Sequence, residues 1–460
     1  MGSRGKCGGT PTSSVVGSLG LRVGVSLDPE PGRRVGTFDG VKLEDHTLHI
    51  DSRGDVHNAT GHDARERIYL DHAATTPLDP RVLEIMLPYL SDLFGNPSSV
   101  HRRGRESRHA VESARERVAE NLGAEPAEVV FTSGGSEADN LAILGAGIGA
   151  GDTVLSTRAE HEAVLRPIER LQERGVRVVW CPVDRHARCD TKSVAEILEA
   201  ERPALVSVTL VNNETGALND IAALAGICRE LGCVVHTDAV QAAELYDIDV
   251  GDLGIDLLAL SAHKLHGPKG AGCLFVRGGL EISSLLLGGQ QERARRAGTE
   301  NVAGIVGFAA ALDLARAERA LRRVHILGLR RRLLHGLSET LGDLIEVVSG
   351  DEEECAPHIL SVVIPPTESR VIDGEMLLLN LDVEGVEVSA GSACTSGSLK
   401  PSHVLTAAGW PAESAAAAIR FSLGKDNTPE EIDRTVQIVS SVVSRMTQRR
   451  SAPSPAGRGA

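Results

Sequence analysis

The chain has 460 residues, enough for a large core and more than one domain. Hydrophobic residues make up 42% and charged residues 24%, the balance of a soluble globular protein. Lys plus Arg at 48 against Asp plus Glu at 63 leaves a net charge of −15, which argues against a surface for nucleic acid, and no apolar run is long enough to span a bilayer.

Residues 1–66 stand apart in composition. "MGSRGKCGGTPTSSVVGSLG" and "DPEPGRRVG" are rich in small and turn-forming residues. The region reads as a mostly disordered extension, with at best a short hairpin near "VKLEDHTLHI". Lys6 stands where a myristoylation signal needs Ser or Thr. The apolar segment of a secretory signal is missing, and acidic residues from Asp28 onward count against a transit peptide.

From Arg67 the pattern becomes regular. "IYL" reads as a short strand and "DPRVLEIMLPYLSDL" as a helix after a proline turn. "HRRGRESRHAVESARERVAENLG" is an amphipathic helix stopped by Gly123. Seven β-rich runs follow: "EVVFT", "DTVLST", "VRVVWCPV", "ALVSVTL", "CVVHTDA", "DLLALSA" and "GCLFVR". Helical runs such as "EAVLRPIERLQERG" and "DIAALAGICRELG" separate several of them, so a mainly parallel sheet covered on both faces is expected. The expected organisation is a large domain over 67–315, with 67–80 packing on a smaller α+β domain over 316–447, then a disordered tail over 448–460. A long arginine-rich helix opens the smaller domain.

The eight cysteines, Cys7, Cys181, Cys189, Cys228, Cys233, Cys273, Cys355 and Cys394, form no CxxC pair and no zinc-spaced cluster with histidine. They read as reduced thiols in the cytoplasm, mostly in the core. Cys394 differs. In "SAGSACTSGSLKPSHVL" it has almost only small neighbours, as a thiol on a tether would.

Ligands of open parallel sheets gather at the carboxyl ends of the strands. After "EVVFT" comes "SGGSEADN", where Gly135 and Ser136 suit a phosphate at a helix start, or simply a tight turn. After "CVVHTDA" stand Asp238 and Gln241; taken alone, Asp238 reads as a helix cap. After "DLLALSA" comes Lys264, partly desolvated and so easier to deprotonate, or else an ordinary exposed lysine. A phosphate cup, an aspartate and a lysine in this order are together what pyridoxal phosphate (PLP) needs.

The sequence resembles the cysteine desulfurases of the NifS/IscS type, in the long-loop branch of the class V aminotransferases. The likeness runs from about Ile68 to Thr447 through "YLDHAATTP", "FGNPSSVHRRG", "FTSGGSEADNLAI", "EHEAVL", "VNNETG", "HTDAVQ", "SAHKLHGPKGAG", "RRAGTEN", "SAGSACTSGSLKPSHVL" and "IRFSLG". It implies the α/β fold of PLP-dependent transferases of fold type I, with a seven-stranded, mainly parallel sheet. It implies Lys264 as the lysine joined to the cofactor and Asp238 as the partner of its ring nitrogen. His161 would stack on the ring and act as acid or base. Asn213, Val240 and Gln241 would contact the ring, and Gly135, Ser136, Ser261 and His263 the phosphate. Thr299 would reach the phosphate of a neighbouring subunit, implying a homodimer. Arg420 would take the substrate carboxylate with Asn96 close by, and Cys394 would accept sulfur from L-cysteine as a persulfide, leaving L-alanine.

The further partner implied is a sulfur-acceptor protein serving iron–sulfur clusters, thiolated tRNA or related pathways. No resident metal is expected, although Cys394 could touch a nascent iron–sulfur cluster. Three departures stand out: Ser136 where Thr is common, His358 in place of the asparagine of "PNI", and no extended C-terminal tail. A selenocysteine lyase or another class V aminotransferase would share the cofactor residues but not require the Cys394 segment. A non-catalytic scaffold of the same fold would require none of them.

Overall fold

The computed structural model describes residues 67–366, 372–390 and 401–448, with the strand segments 41–43, 46–50 and 56–58. The chain divides into two units, Met1–Glu66 and Arg67–Ala460. In the first, β1 (Val41–Leu43), β2 (His46–Ile50) and β3 (Val56–Asn58) pair antiparallel in that order. The hairpin expected at "VKLEDHTLHI" is there, extended by a third strand.

The second unit opens with the short β4 (Ile68–Tyr69). All seven β-rich runs are then strands: β5 (Val129–Thr132), β6 (Thr153–Thr157), β7 (Arg177–Cys181), β8 (Leu205–Ser207), β9 (Val234–Asp238), β10 (Leu257–Ser261) and β11 (Gly272–Val276). They form one sheet in the order β5-β11-β10-β9-β8-β6-β7. Only β11 runs against its neighbours. Alternation explains the two covered faces. Val129, Phe131, Leu258 and Leu260 point into one cluster with helices Arg102–Leu122 and Ile221–Leu231. Val130, Leu257 and Ala259 point into another with helix Gly135–Gly145. Each buried Val or Leu contributes about 1.5–3 kcal/mol, so the strands read as continuous apolar runs.

The long helix is Val302–Leu341, 40 residues, and starts before the arginine-rich stretch from which it was expected. Its first turns, "VAGIVGFAAALDLA", are buried almost all round and show no polar face to mark them as helix. Those turns pack on the core of the seven-stranded sheet, whereas Ile326, Leu329, Leu333 and Leu337 pack on a second core. That core covers β12 (Glu346–Val347), β13 (Ile359–Val363) and β15 (Ala418–Ser422), an antiparallel sheet. Between them in sequence, β14 (Val386–Glu387) pairs parallel with β4, so Ile68 and Leu70 belong to this second core. Among the described residues, no helix is long and apolar enough to cross a membrane.

Candidate active site

The carboxyl ends of β5, β6, β8, β9 and β10 open toward one cavity of about 470 Å³. After β5, Gly134 turns the chain with φ +152° into helix Gly135–Gly145, whose first turn has no side-chain cap. A Cβ on Gly135 would come within 2.7 Å of the Val240 side chain, so only glycine leaves this wall open. Facing it, the Ser261 hydroxyl is 1% exposed and has no hydrogen-bond partner. Free N–H groups and an orphaned hydroxyl at a helix start suit an anion.

Lys264 ends a 3₁₀ turn after β10, half-buried, and its Nζ donates to the carbonyls of Ala73 at 2.5 Å and Ala74 at 2.7 Å. Burial, with Arg420 pushing the same way, lowers its pKa to about 8. Asp238 ends β9 behind the wall, 8% exposed, and one oxygen accepts the Val240 N–H at 2.9 Å. Desolvation raises its pKa, opposed by His161 and Lys264. His161 caps helix Glu162–Glu173, and its Nδ1 accepts the Ala163 N–H at 3.1 Å. The neutral ring therefore carries its proton on Nε2. Surrounding burial lowers the pKa of His161, while Asp238 raises it.

Ser136, Asn213, Val240, Gln241 and His263 also line this cavity. His263 pairs through Nδ1 with Thr75 Oγ1 at 3.2 Å, and burial pushes its pKa down to about 4. Arg420, on β15, is 3% exposed. Its guanidinium donates to Asp71 at 2.8 Å and to the carbonyl of Asn213 at 2.8 Å. Cys394 lies outside the described residues, but both ends of its segment are tied to the site. Ser389 and Arg420 exchange backbone hydrogen bonds, and His403 Nε2 lies 2.9 Å from the carbonyl of Glu160, the residue before His161.

A family model described as "Aminotransferase class-V" matches residues 68–435. The chain is 45% identical over 386 residues to a putative cysteine desulfurase IscS 1 of Bacillus subtilis, covering 83% of this chain and 100% of that one. The chain belongs to the cysteine desulfurases of the class V aminotransferase family. Among solved structures, a NifS-like protein superposes with a TM-score of 0.75 at 34% identity, over 83% of this chain and 100% of the other. One described as SspA in complex with cysteine gives 0.66 at 31%, over 79% and 100%.

Two sequence-derived positions lie elsewhere within this desulfurase chain. Asn96 is exposed, its Oδ1 accepting the Ser98 N–H at 2.8 Å. Thr299 lines a neighbouring cavity of about 110 Å³ that shares Ser133 and Gly270 with the first. Its loop begins with a left-handed turn of three non-glycine residues, Glu292, Arg293 and Ala294. Such a turn persists only where packing forces it. The force is a buried fork: Arg115 donates to both Glu292 oxygens at 2.7 and 2.8 Å, and Glu292 also accepts the Phe131 N–H at 2.8 Å. Glu292→Gln takes away the buried carboxylate and leaves Arg115 only the half-exposed Glu112 at 3.4 Å, so it should cost about 3–5 kcal/mol in urea unfolding. An unchanged midpoint would mean that the fork does not hold the turn.

Sequence reasoning missed what "YLDHAATTP" does. Asp71 holds Arg420, Ala73 and Ala74 hold Lys264, Ala73 also holds Gln241, and Thr75 holds His263. The only signal was a run of small residues directly after a short strand.

Proposed function

We propose that this desulfurase depends on pyridoxal phosphate, converts L-cysteine to L-alanine, and passes the sulfur through a persulfide on Cys394 to an acceptor protein. What supports the reading is one convergence: a desolvated amine, a buried carboxyl and an uncapped helix start around a single cavity. The residues fit the cofactor. The orphaned Ser261 hydroxyl and the open cradle at Gly134–Gly135 match a phosphate, and a buried Asp238 carboxyl matches a ring nitrogen that carries a proton. Ser136 and His263 would join the phosphate set, with Thr299 coming from a partner subunit in a homodimer; Asn213, Val240 and Gln241 would flank the ring. Bound there, pyridoxal phosphate supplies an electron sink.

The chain's own groups do the rest. Arg420, fixed by Asp71, would orient the substrate α-carboxylate, with Asn96 nearby in the assembled dimer. The Lys264 amine, neutral in part near pH 8, takes the proton from the substrate Cα. His161 presents Nε2–H to the cavity as an acid. The Cys394 thiolate attacks the substrate sulfur: the new S–S bond forms as Cβ–S breaks, and its electron pair leaves with Cβ. A proton added at Cβ and the proton returned to Cα by Lys264 complete alanine. Iron–sulfur clusters, thiolated tRNA or related products are the destinations of that sulfur, and the setting is cytoplasmic.

The direct test is absorbance. The purified protein should show a yellow band that shifts when L-cysteine is added, with alanine and sulfide formed under reductant. A colourless protein that cannot be reconstituted with pyridoxal phosphate would end the reading. His161→Asn keeps an acceptor for the Ala163 N–H but removes the acid, so turnover should fall by about 10²–10⁴-fold with the fold intact. An unchanged rate would remove His161 from the mechanism.

A further inference from the structure

Gln241 shows one face to the cavity and another to the interior. Its Nε2 donates to the carbonyl of Ala73 at 2.9 Å, the same carbonyl that takes the Lys264 amine. A carbonyl oxygen can only accept, so the amide nitrogen must face Ala73 and Oε1 must face away from it. On that side stands His358, 5% exposed, with Nε2 3.4 Å from Gln241 Oε1. An oxygen offers no proton; the proton between them must therefore sit on His358 Nε2. His358 Nδ1 is then the bare nitrogen, and it is buried without a partner in the structure. Backbone pairing anchors the residue, since the Leu423 N–H donates to the His358 carbonyl at 2.8 Å.

We infer that His358 is a positioning residue for the cofactor pocket: its Nε2–H fixes the Gln241 amide so that the remaining amide proton of Gln241 is offered to the cofactor ring. The inference rests on the pyridoxal phosphate reading above. It gives a purpose to the position where this chain departs from the "PNI" pattern of its family. Burial first of all pushes the His358 pKa down to about 4, so the ring stays a neutral donor in the working range. The titratable and charged groups facing it are Glu244, His72, Arg420 and Lys264. Of these, Glu244 is itself held by Arg322 at 3.0 Å and lies 3.4 Å from His266 Nε2.

An amide proton offered to the phenolic oxygen of the ring draws off negative charge there. Without it the oxygen holds a neighbouring proton more tightly. The test uses the full-length holoprotein with His358→Phe, a ring without a donor, and His358→Asn, which restores an amide donor. Two quantities are read: the pH midpoint of the yellow band, and the rate at which pyridoxal phosphate is released to an excess of a trapping apoprotein. His358→Phe should move the midpoint up by about 0.5 unit and speed release about three- to tenfold, the scale of one neutral hydrogen bond. His358→Asn should return both toward the parent. In a Gln241→Leu background His358→Phe should change neither.

A His358→Phe protein with the parent midpoint and release rate overturns the inference, even if it melts earlier. An equal shift in the Gln241→Leu background overturns it too. If His358→Phe does not fold, His358→Leu carries the same comparison. A parent protein with no yellow band would instead bring down the cofactor reading on which the inference stands.

Discussion

A Cys394→Ala variant is expected to keep the yellow band of bound pyridoxal phosphate while releasing no sulfide or alanine from L-cysteine above background. The cavity is built from segments 73–75, 133–139, 213, 240–241 and 261–270, with His161 between them, so removing one thiol from another segment leaves it whole. No other described cysteine can stand in. Cys181, Cys228, Cys233, Cys273 and Cys355 are buried, and Cys189 is half-buried. Burial pushes the thiols of Cys181 and Cys228 up to about 12 and raises those of Cys189, Cys233, Cys273 and Cys355 as well. A thiol, not its anion, is then what each presents, and the thiol is the poorer nucleophile. Alanine and sulfide at the parent rate would strip Cys394 of its role. Loss of the yellow band would show instead that its segment helps to build the cofactor site.

The seven strands were legible because burial on both faces leaves no polar alternation, and the cavity walls at Gly135, Gln241 and Lys264 were legible because a cavity opens where such strands end. What stayed hidden has physical reasons. The pairing of Asp71 with Arg420 joins residues 349 apart, and no local pattern encodes it. The acceptors for Lys264 and Gln241 are backbone carbonyls of Ala73 and Ala74, atoms that every residue type carries. The first turns of helix Val302–Leu341 were unreadable because they are apolar all round. Nothing local marks Glu292, whose fork partner Arg115 stands 177 residues away in the chain. His358 was visible as a departure from the family, but its link to Gln241 needed the fold, since 117 residues separate them. Apart from that helix start, the hidden information was a distance between segments rather than a property of either.

Lys264→Ala should be colourless after dialysis and should lose turnover by about 10⁴-fold, because in the proposed function one side chain would supply both the attachment of the cofactor and the proton transfer at the substrate Cα. The setting of the amine sharpens the expectation. With a pKa of about 8, about a quarter of the amine is neutral at pH 7.5. An ordinary lysine at 10.5 would be neutral in only about one molecule in a thousand. Only the neutral amine can attack an aldehyde. Reconstitution of the apoprotein should therefore speed up as pH rises to about 8 and level off beyond it. The two carbonyls that hold Nζ cannot replace it, as they accept protons in hydrogen bonds but do not form a bond to the aldehyde. Added methylamine should restore part of the lost rate in Lys264→Ala, since the vacated space remains lined by the same acceptors. A Lys264→Ala protein that kept its colour through dialysis and turned over cysteine at the parent rate would move the covalent site away from position 264. A parent whose reconstitution rate kept climbing past pH 10 would show that the amine is not desolvated by the strand end that carries it.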